Sequence, residues 1–310
     1  MTTDNGGITT FSAGDRVVVI ANPSTRASVR AVTSALTQAV PAGVRLDLRW
    51  TPGPGTAKAL AMEALDIADG IVAVGGDGTV SDVAAAVVGT GMPLGVLPAG
   101  STNIVAREHG IPANLRGAAG VIFGPHRLLA VDVATCNGRP FLHMAGAGFD
   151  SVLFDNADPE LKRRVGWMAY LPAGAKALTV PPATYTIEIE GETIRTLSPL
   201  VLVANGSSII RPELKLAPSI RPDDGWLDLI VVTGTKPHEL ASVLGRLATL
   251  RFDTSPLVLH RRVRSATIAT SHPVPMQLDG DVVEHTPASI GILPASLNLI
   301  VPVNTEQWSI

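Results

Sequence analysis

Cysteine is almost missing from this chain: Cys136 is the single one in 310 residues. An internal disulfide is excluded, as is a cysteine-built metal cluster, and a reducing cytoplasm is the simplest setting. Aromatic residues make up only 4%, which leaves little for a surface on which bases stack. Charge is sparse as well, with 16% charged residues and a net charge of −3, so the basic footprint of a nucleic-acid binder is absent. No uninterrupted apolar run approaches the roughly 20 residues that span a bilayer. The polar start, residues 1–15, has no charged-then-apolar signal pattern. The expectation is a cytoplasmic protein without a transmembrane segment, attached at most to the surface of a membrane.

Several familiar motifs are missing too. There is no Gly-x-x-x-x-Gly-Lys-Ser/Thr, and Gly76-Asp77-Gly78 runs on to Val80 and Ser81 without the third glycine of the dinucleotide fingerprint. No Gly-x-Ser-x-Gly elbow occurs, which argues against a serine hydrolase. The seven histidines (109, 126, 143, 238, 260, 272, 285) have no zinc-ligand spacing.

What is present is apolar: 46% of the residues are hydrophobic, enough for a large core. A chain of this length exceeds what one core usually serves, so two domains are expected. The first third alternates short β-branched runs with helical patterns. Residues 16–21 (RVVVIA), 44–49, 71–74 and 93–97 read as strands; 27–40, 56–68, 80–88 and the stretch from 102 to 109 read as helices. Strands alternating with helices imply a parallel sheet with helices on both faces, and ligands of such sheets lie beyond the carboxyl ends of the strands. Near residue 125 the texture changes to many short strands (128–135, 139–145, 184–189, 200–204, 226–232, 265–269, 289–293), with helical patterns only at 159–178 and 237–250. The expected division is an α/β domain over residues 1–125 and a β-rich, sandwich- or barrel-like domain over residues 126–310.

Two loops fall at the ligand edge of the parallel sheet. Gly75-Gly76-Asp77-Gly78-Thr79 sits between a strand and a helix. Its glycines let backbone N–H groups approach a ligand, and the helix start favours an anion, with Thr79 as a candidate N-cap. Asp77 repels phosphate unless a divalent cation lies between them. The alternative is a tight turn with Asp77 as a local turn residue. Ser101, Thr102 and Asn103 follow Pro98-Ala99-Gly100 and offer donors and acceptors beside the first loop, either to a ligand or as ordinary helix caps. Far along the chain, Asp279-Gly280-Asp281 suits general-base work on an alcohol or metal binding, or else is an Asp-Gly hairpin turn. Asp223-Asp224-Gly225-Trp226 is either a cation site or a plain turn before a strand. The basic run Lys162-Arg163-Arg164 beside Trp167 suits an anionic lipid surface or a solvated helix face.

Taken in order, these segments resemble the diacylglycerol kinase catalytic-domain family, which includes bacterial lipid kinases and sphingosine kinases. The resemblance runs from Val17 to Pro302. It is carried by Asn22-Pro23, the Thr51 segment, the 75–79 loop, LPAGSTNIVAR at 97–107, GAGFD at 146–150, Asp224-Gly225-Trp226-Leu227-Asp228 and Leu278-Asp279-Gly280-Asp281. It implies an ATP-dependent kinase acting on a lipid hydroxyl in a cleft between the domains, with ATP and magnesium as cofactors. Phosphates would lie on Gly76, Asp77, Gly78 and Thr79, next to Gly75. Asn22, Thr51 and Ser101, with Thr102 and Asn103 beside them, would help to hold the nucleotide, and magnesium would lie close to Asp77. Asp279 or Asp281 would deprotonate the lipid hydroxyl; Asp281 stands where the family usually has glutamate. A second, structural cation is implied at Asp224, with the carbonyls of Arg221 and Trp226 as ligands. The lipid substrate would be presented at a membrane surface, and a homodimer is compatible with the sequence. A kinase for a soluble acceptor, like NAD kinase, and a non-catalytic nucleotide- or lipid-binding member of the fold are the rival readings.

Overall fold

The computed structural model describes residues 1–3, 7–25, 27–149, 181–209, 211–249 and 251–304. Two compact units divide the chain: Met1–Val131 with Ala295–Ile310, and Asp132–Pro294. The helical pattern expected at 159–178, with its basic run, lies outside the described residues.

The first unit begins with two short strands, β1 (Thr2–Thr3) and β2 (Ile8–Thr10). It continues as β3 (Arg16–Ala21), α1 (Val29–Ala39), β4 (Arg45–Trp50), α2 (Ala57–Ala64), β5 (Gly70–Gly75) and α3 (Asp77–Val87). Then come β6 (Pro93–Pro98), α4 (Ile104–Glu108), α5 (Leu115–Phe123) and β7 (His126–Cys136). Strands β6, β5, β3 and β4 lie side by side in that order, all parallel. The apolar runs of β3, β5 and β6 are continuous because both faces are covered: Val17, Val18, Val19, Ile20 and Ala21 are all fully buried, whereas the edge strand β4 alternates. Helix α1 starts where Ser28 accepts a hydrogen bond from the Ala31 amide, and it buries Val32, Ala35 and Leu36, three and four residues apart. Helix α5 had no counterpart in the sequence reading. Two glycines, Gly117 and Gly120, dilute its pattern, yet Asn114 caps it and Ala118, Ala119, Ile122 and Phe123 anchor it.

The second unit carries β8 (Arg139–Phe141), β9 (Met144–Gly148), β10 (Ala183–Ile189), β11 (Glu192–Ser198), β12 (Leu200–Ala204), β13 (Ser208–Ile209) and β14 (Arg211–Lys215). It continues with β15 (Leu227–Val232), α6 (Pro237–Ala248), β16 (Val258–Val263), β17 (Ser265–Thr270), β18 (Pro275–Leu278), β19 (Asp281–His285) and the start of β20 (Ala288–Pro302). Six of these form an antiparallel sheet in the order β16-β15-β12-β9-β18-β19. Val201, Val203, Leu227, Leu229 and Val231 point from it into one core with Tyr185, Ile187 and Ile268. Leu200, Leu202, Ile230 and Val232 point the other way, into a second core with Ile220, Val243 and Phe252. A sheet buried on both faces explains why β12 (LVLVA) is apolar throughout rather than alternating.

The division differs from the expected one at the chain's end. The last strand, β20, was anticipated only as a short strand at 289–293, inside a domain running to residue 310. Its far half instead extends the parallel sheet of the first unit, pairing Asn298 with Pro93 and Leu299 with Leu94 on β6. Leu297, Leu299, Ile300 and Val301 are buried there, and β6 offers the ladder they need. The stretch expected as one strand at 139–145 is likewise two, β8 and β9, because an aspartate from far along the chain takes the amides between them.

Candidate active site

In the first unit, the carboxyl ends of β4, β3, β5 and β6 bring Thr51, Asn22, Gly76 and Ala99 to one edge of the parallel sheet. The 75–79 segment is less of a loop than its sequence suggests. Helix α3 begins at Asp77, and Gly76, not Thr79, is its N-cap. Thr79 is buried instead, because it turns inward against Gly75, where an added Cβ would lie 2.5 Å from the threonine side chain. The Thr79 hydroxyl accepts a long hydrogen bond, 3.4 Å, from the Asn22 amide group. Glycine at the cap brings no side chain to the first-turn N–H groups of α3, so they present the positive end of the helix dipole.

The second loop packs directly on the first. A Cβ on Gly100 would fall 2.4 Å from the Gly76 Cα, backbone against side chain, so glycine is required there for two chain segments to touch. Asn103 clamps this loop on itself: its Oδ1 accepts from the Gly100 amide at 2.9 Å and its Nδ2 donates to the Gly100 carbonyl at 3.0 Å. Asn103 adopts φ 49°, a left-handed conformation that asparagine tolerates better than most residues. Asp77 then ties the two loops, its Oδ1 accepting from the Ile104 amide at 2.6 Å at the start of α4. Neither Gly100 nor the Ile104 amide was singled out from sequence. A further glycine opposite the three of the 75–79 segment was the signal available for Gly100; nothing in the residue type marks Ile104. Thr51 is buried at the end of β4, its amide donating to the Ala21 carbonyl at 2.9 Å. Ser101 and Thr102 are half-buried between β6 and α4.

In the second unit, Asp279 and Gly280 form the turn between β18 and β19, with φ values of 50° and 95°. This is the two-residue hairpin that an Asp-Gly pair favours. The Asp279 carboxylate is fully engaged by backbone: Oδ2 accepts from the Leu142 amide at 2.8 Å, and Oδ1 from the His143 and Met144 amides at 2.8 and 3.2 Å. It thereby pins the chain between β8 and β9. The His143 ring continues this network, its Nε2 donating to the Ser208 carbonyl at 2.6 Å, and Gly206 lies so close that a Cβ would be 2.1 Å from Nδ1. Asp281, two residues on, is exposed at the start of β19.

Around Asp224 the turn is closed by protein groups. Asp224 Oδ1 accepts from the Trp226 amide at 3.0 Å and Oδ2 from Arg262 Nη2 at 2.5 Å. Arg221 pairs with Asp223 at 3.1 Å. Burial raises the Asp224 carboxyl above its ordinary value, against the pull of Arg262 and the Trp226 amide and with a push from Asp228 and Asp132. Among the described residues, no three histidine, cysteine, aspartate or glutamate side chains gather to hold a metal ion. The residues at Asp224 fit a divalent ion poorly, since one carboxylate oxygen faces the Arg262 guanidinium, a positive charge that the ion would have to displace. The phosphate edge does fit a magnesium ion by kind, because such an ion is commonly held by one or two carboxylates plus substrate phosphates, and Asp77 lies at the cradle. Cys136 is buried, which pushes its thiol up to about 11, so it is no nucleophile at neutral pH.

The first unit is thus a parallel sheet with two glycine-bearing loops packed together at its carboxyl edge, and the second an antiparallel sheet between two apolar cores. Residues 16–136 match the diacylglycerol kinase catalytic domain, and residues 143–301 match the YegS C-terminal NAD kinase beta sandwich-like domain. A relative from Pseudomonas fluorescens, named "Probable lipid kinase YegS-like", is 30% identical over 84% of this chain and 87% of its own length. A relative from Bacillus subtilis, named "Diacylglycerol kinase", is 29% identical over 93% of this chain and 96% of its own. A crystal structure of a diacylglycerol kinase from Bacillus anthracis superposes with a TM-score of 0.70 at 22% identity, over 94% of this chain and 98% of that one, which speaks for the fold. The chain also matches an uncharacterized protein of Synechocystis at 36% identity over 76% of its residues, spanning 55% of that protein's length. The chain thus belongs to the diacylglycerol kinase family, whose kinases are phosphotransferases that use ATP. Among the described residues, no helix is long and apolar enough to cross a membrane.

Proposed function

We propose that this chain is an ATP-dependent lipid kinase that phosphorylates the hydroxyl of a lipid alcohol such as diacylglycerol. The observation that carries the nucleotide half is the close approach of Gly76 and Gly100 at the uncapped start of α3. Two glycine backbones packed together beside a helix N-terminus suit a polyphosphate, and a Cβ on Gly100 would force the two loops apart. The acceptor half rests on the name carried by the Bacillus subtilis relative.

In this reading the first-turn amides of α3 hold the ATP phosphates, and Asp77 keeps the two loops together through Ile104. Magnesium, when bound beside Asp77, neutralises phosphate charge as it shifts toward the leaving group. The acceptor O–H gives its proton to a carboxylate, its oxygen attacks the γ-phosphorus, and the bond from that phosphorus to the bridging oxygen breaks, so ADP leaves with the electron pair. We assign the proton-accepting role to Asp281. The Asp279 oxygens already take three backbone amides, whereas Asp281 is exposed at the strand start. Positioning and charge neutralisation supply most of the rate, and the base contributes about 10²–10⁴-fold.

The test is an acceptor assay. Purified protein with labelled ATP and magnesium should transfer label to diacylglycerol in mixed micelles and leave NAD unlabelled. Label on NAD and none on lipid would replace this reading with that of a soluble-acceptor kinase. Nucleotide binding without transfer to any lipid alcohol would make the chain a non-catalytic member of the fold.

A further inference from the structure

We propose that the Arg262 guanidinium is the resident counter-cation of the 222–226 turn, so that the second unit folds and holds this turn without a divalent ion at Asp224. The inference is independent of the kinase reading. It starts from the two oxygens of Asp224, one committed to the Trp226 amide and the other to Arg262 Nη2 at 2.5 Å. A divalent ion on that second oxygen would lie beside the positive charge of Arg262, whose side chain is 44% exposed, and would have to displace it or share the carboxylate with it.

Arg262 is not a passing contact. It stands opposite Asp228 in the β15–β16 ladder, which fixes its backbone. Its guanidinium carbon lies 5.3 Å from the centre of the Trp226 ring, whose surface is shared with Arg264 at 4.6 Å. Arginine is suited to the place: always charged, weakly hydrated, and able to stack on an indole while donating to a carboxylate. The rest of the turn is also closed by protein groups. Asp132 accepts from the Gly225 amide through its carboxylate at 2.7 Å, and donates its own amide to the Pro222 carbonyl at 2.7 Å. Arg221, whose carbonyl the family resemblance offers to a metal, has its side chain on Asp223. The turn is therefore held by two arginines and an aspartate where a bound ion was expected.

The test counts manganese, a paramagnetic stand-in for magnesium, bound to the nucleotide-free full chain. Wild type and Asp224→Asn should bind the same number of ions, and the melting temperature of wild type should be the same in EDTA and in magnesium. One ion fewer in Asp224→Asn would overturn the proposal, because Asp224 would then be a ligand. Arg262→Ala should melt several degrees lower in EDTA and bind one additional manganese that the Arg262→Ala/Asp224→Asn double variant does not. An Arg262→Ala protein that melts like wild type would also overturn it. Should Arg262→Ala fail to fold, the ion count of wild type against Asp224→Asn decides alone.

Discussion

Two Asp-Gly pairs, Asp77-Gly78 and Asp279-Gly280, use the same dipeptide to opposite ends. The first follows a parallel strand and opens a helix. Its aspartate accepts from the amide of Ile104 in the neighbouring loop, and the cap of the helix is glycine. The second closes a hairpin with both residues at positive φ, and its aspartate takes three amides of a segment 135 to 137 positions away. The surroundings make the difference. A parallel sheet sends its chain outward at the strand end and exposes backbone donors, whereas an antiparallel hairpin turns back and absorbs its own polar groups. A carboxylate next to glycine thus ties two loops at a sheet edge in one setting and pins a distant strand junction in the other.

The largest expected effect breaks the first setting. Gly100→Val places a Cβ and two methyls where the Gly76 backbone lies, and the two loops must part. A displacement of about 1 Å in such a site costs on the order of a hundredfold in turnover, and calorimetric ATP binding should weaken in parallel. Retained ATP affinity in Gly100→Val would remove the cradle from the account. The next contrast separates the two carboxylates of the second setting. Asp281→Asn should lower kcat by about 10²–10⁴-fold at an unchanged melting temperature. Asp279→Asn should lower stability by about 1–3 kcal/mol, because it replaces an acceptor with a donor among three amides. Denaturant melts and turnover numbers on the same two proteins would expose an exchange of roles.

A smaller effect lies at Asp77. Asn at this position keeps an acceptor for the Ile104 amide but loses the charge, so it should melt like wild type and turn over poorly at limiting magnesium. Ala loses both, with a further cost of about 0.5–2 kcal/mol, as for a lost helix cap. The smallest effect is acid sensitivity. His126 is fully buried beside Phe11, and burial holds its imidazole below the ordinary value of 6.5. As the pH falls below 6.5, the unfolded chain takes up this proton before the folded one does, so stability is complete above that value and declines beneath it. His126→Phe should flatten the decline in melts between pH 7 and pH 5, an interval around that value.

Much of the parallel unit was readable from the sequence because β3, β5 and β6 are short apolar runs between helix caps and glycines, and β4 alternates as an edge strand does. Strands β12 and β15 were equally readable, since a sheet covered on both faces leaves no polar alternation to confuse. Features set by residues distant in the chain were not readable. The strand read over 139–145 is divided by Asp279, and the last strand runs on past 293 because β6 has an open ladder. Helix α3 begins three residues before the expected Val80, as Thr79 packs inward rather than capping. At the candidate site, the glycines and aspartates were visible as residue types. Which amides they bind was not, because Ile104, Leu142 and Met144 contribute only backbone N–H groups, which every residue except proline possesses. Arg262 was likewise hidden, one basic residue in an unremarked strand whose partner lies 38 positions earlier.

The central claim, transfer of phosphate from ATP to a lipid hydroxyl, is tested most directly by mass spectrometry of a total lipid extract incubated with the protein, ATP and magnesium. The account predicts that a lipid alcohol gains the mass of one phosphate with wild type and that the gain falls at least a hundredfold with Asp281→Asn. An extract unchanged by wild type, while NAD or another soluble alcohol is phosphorylated, would contradict it.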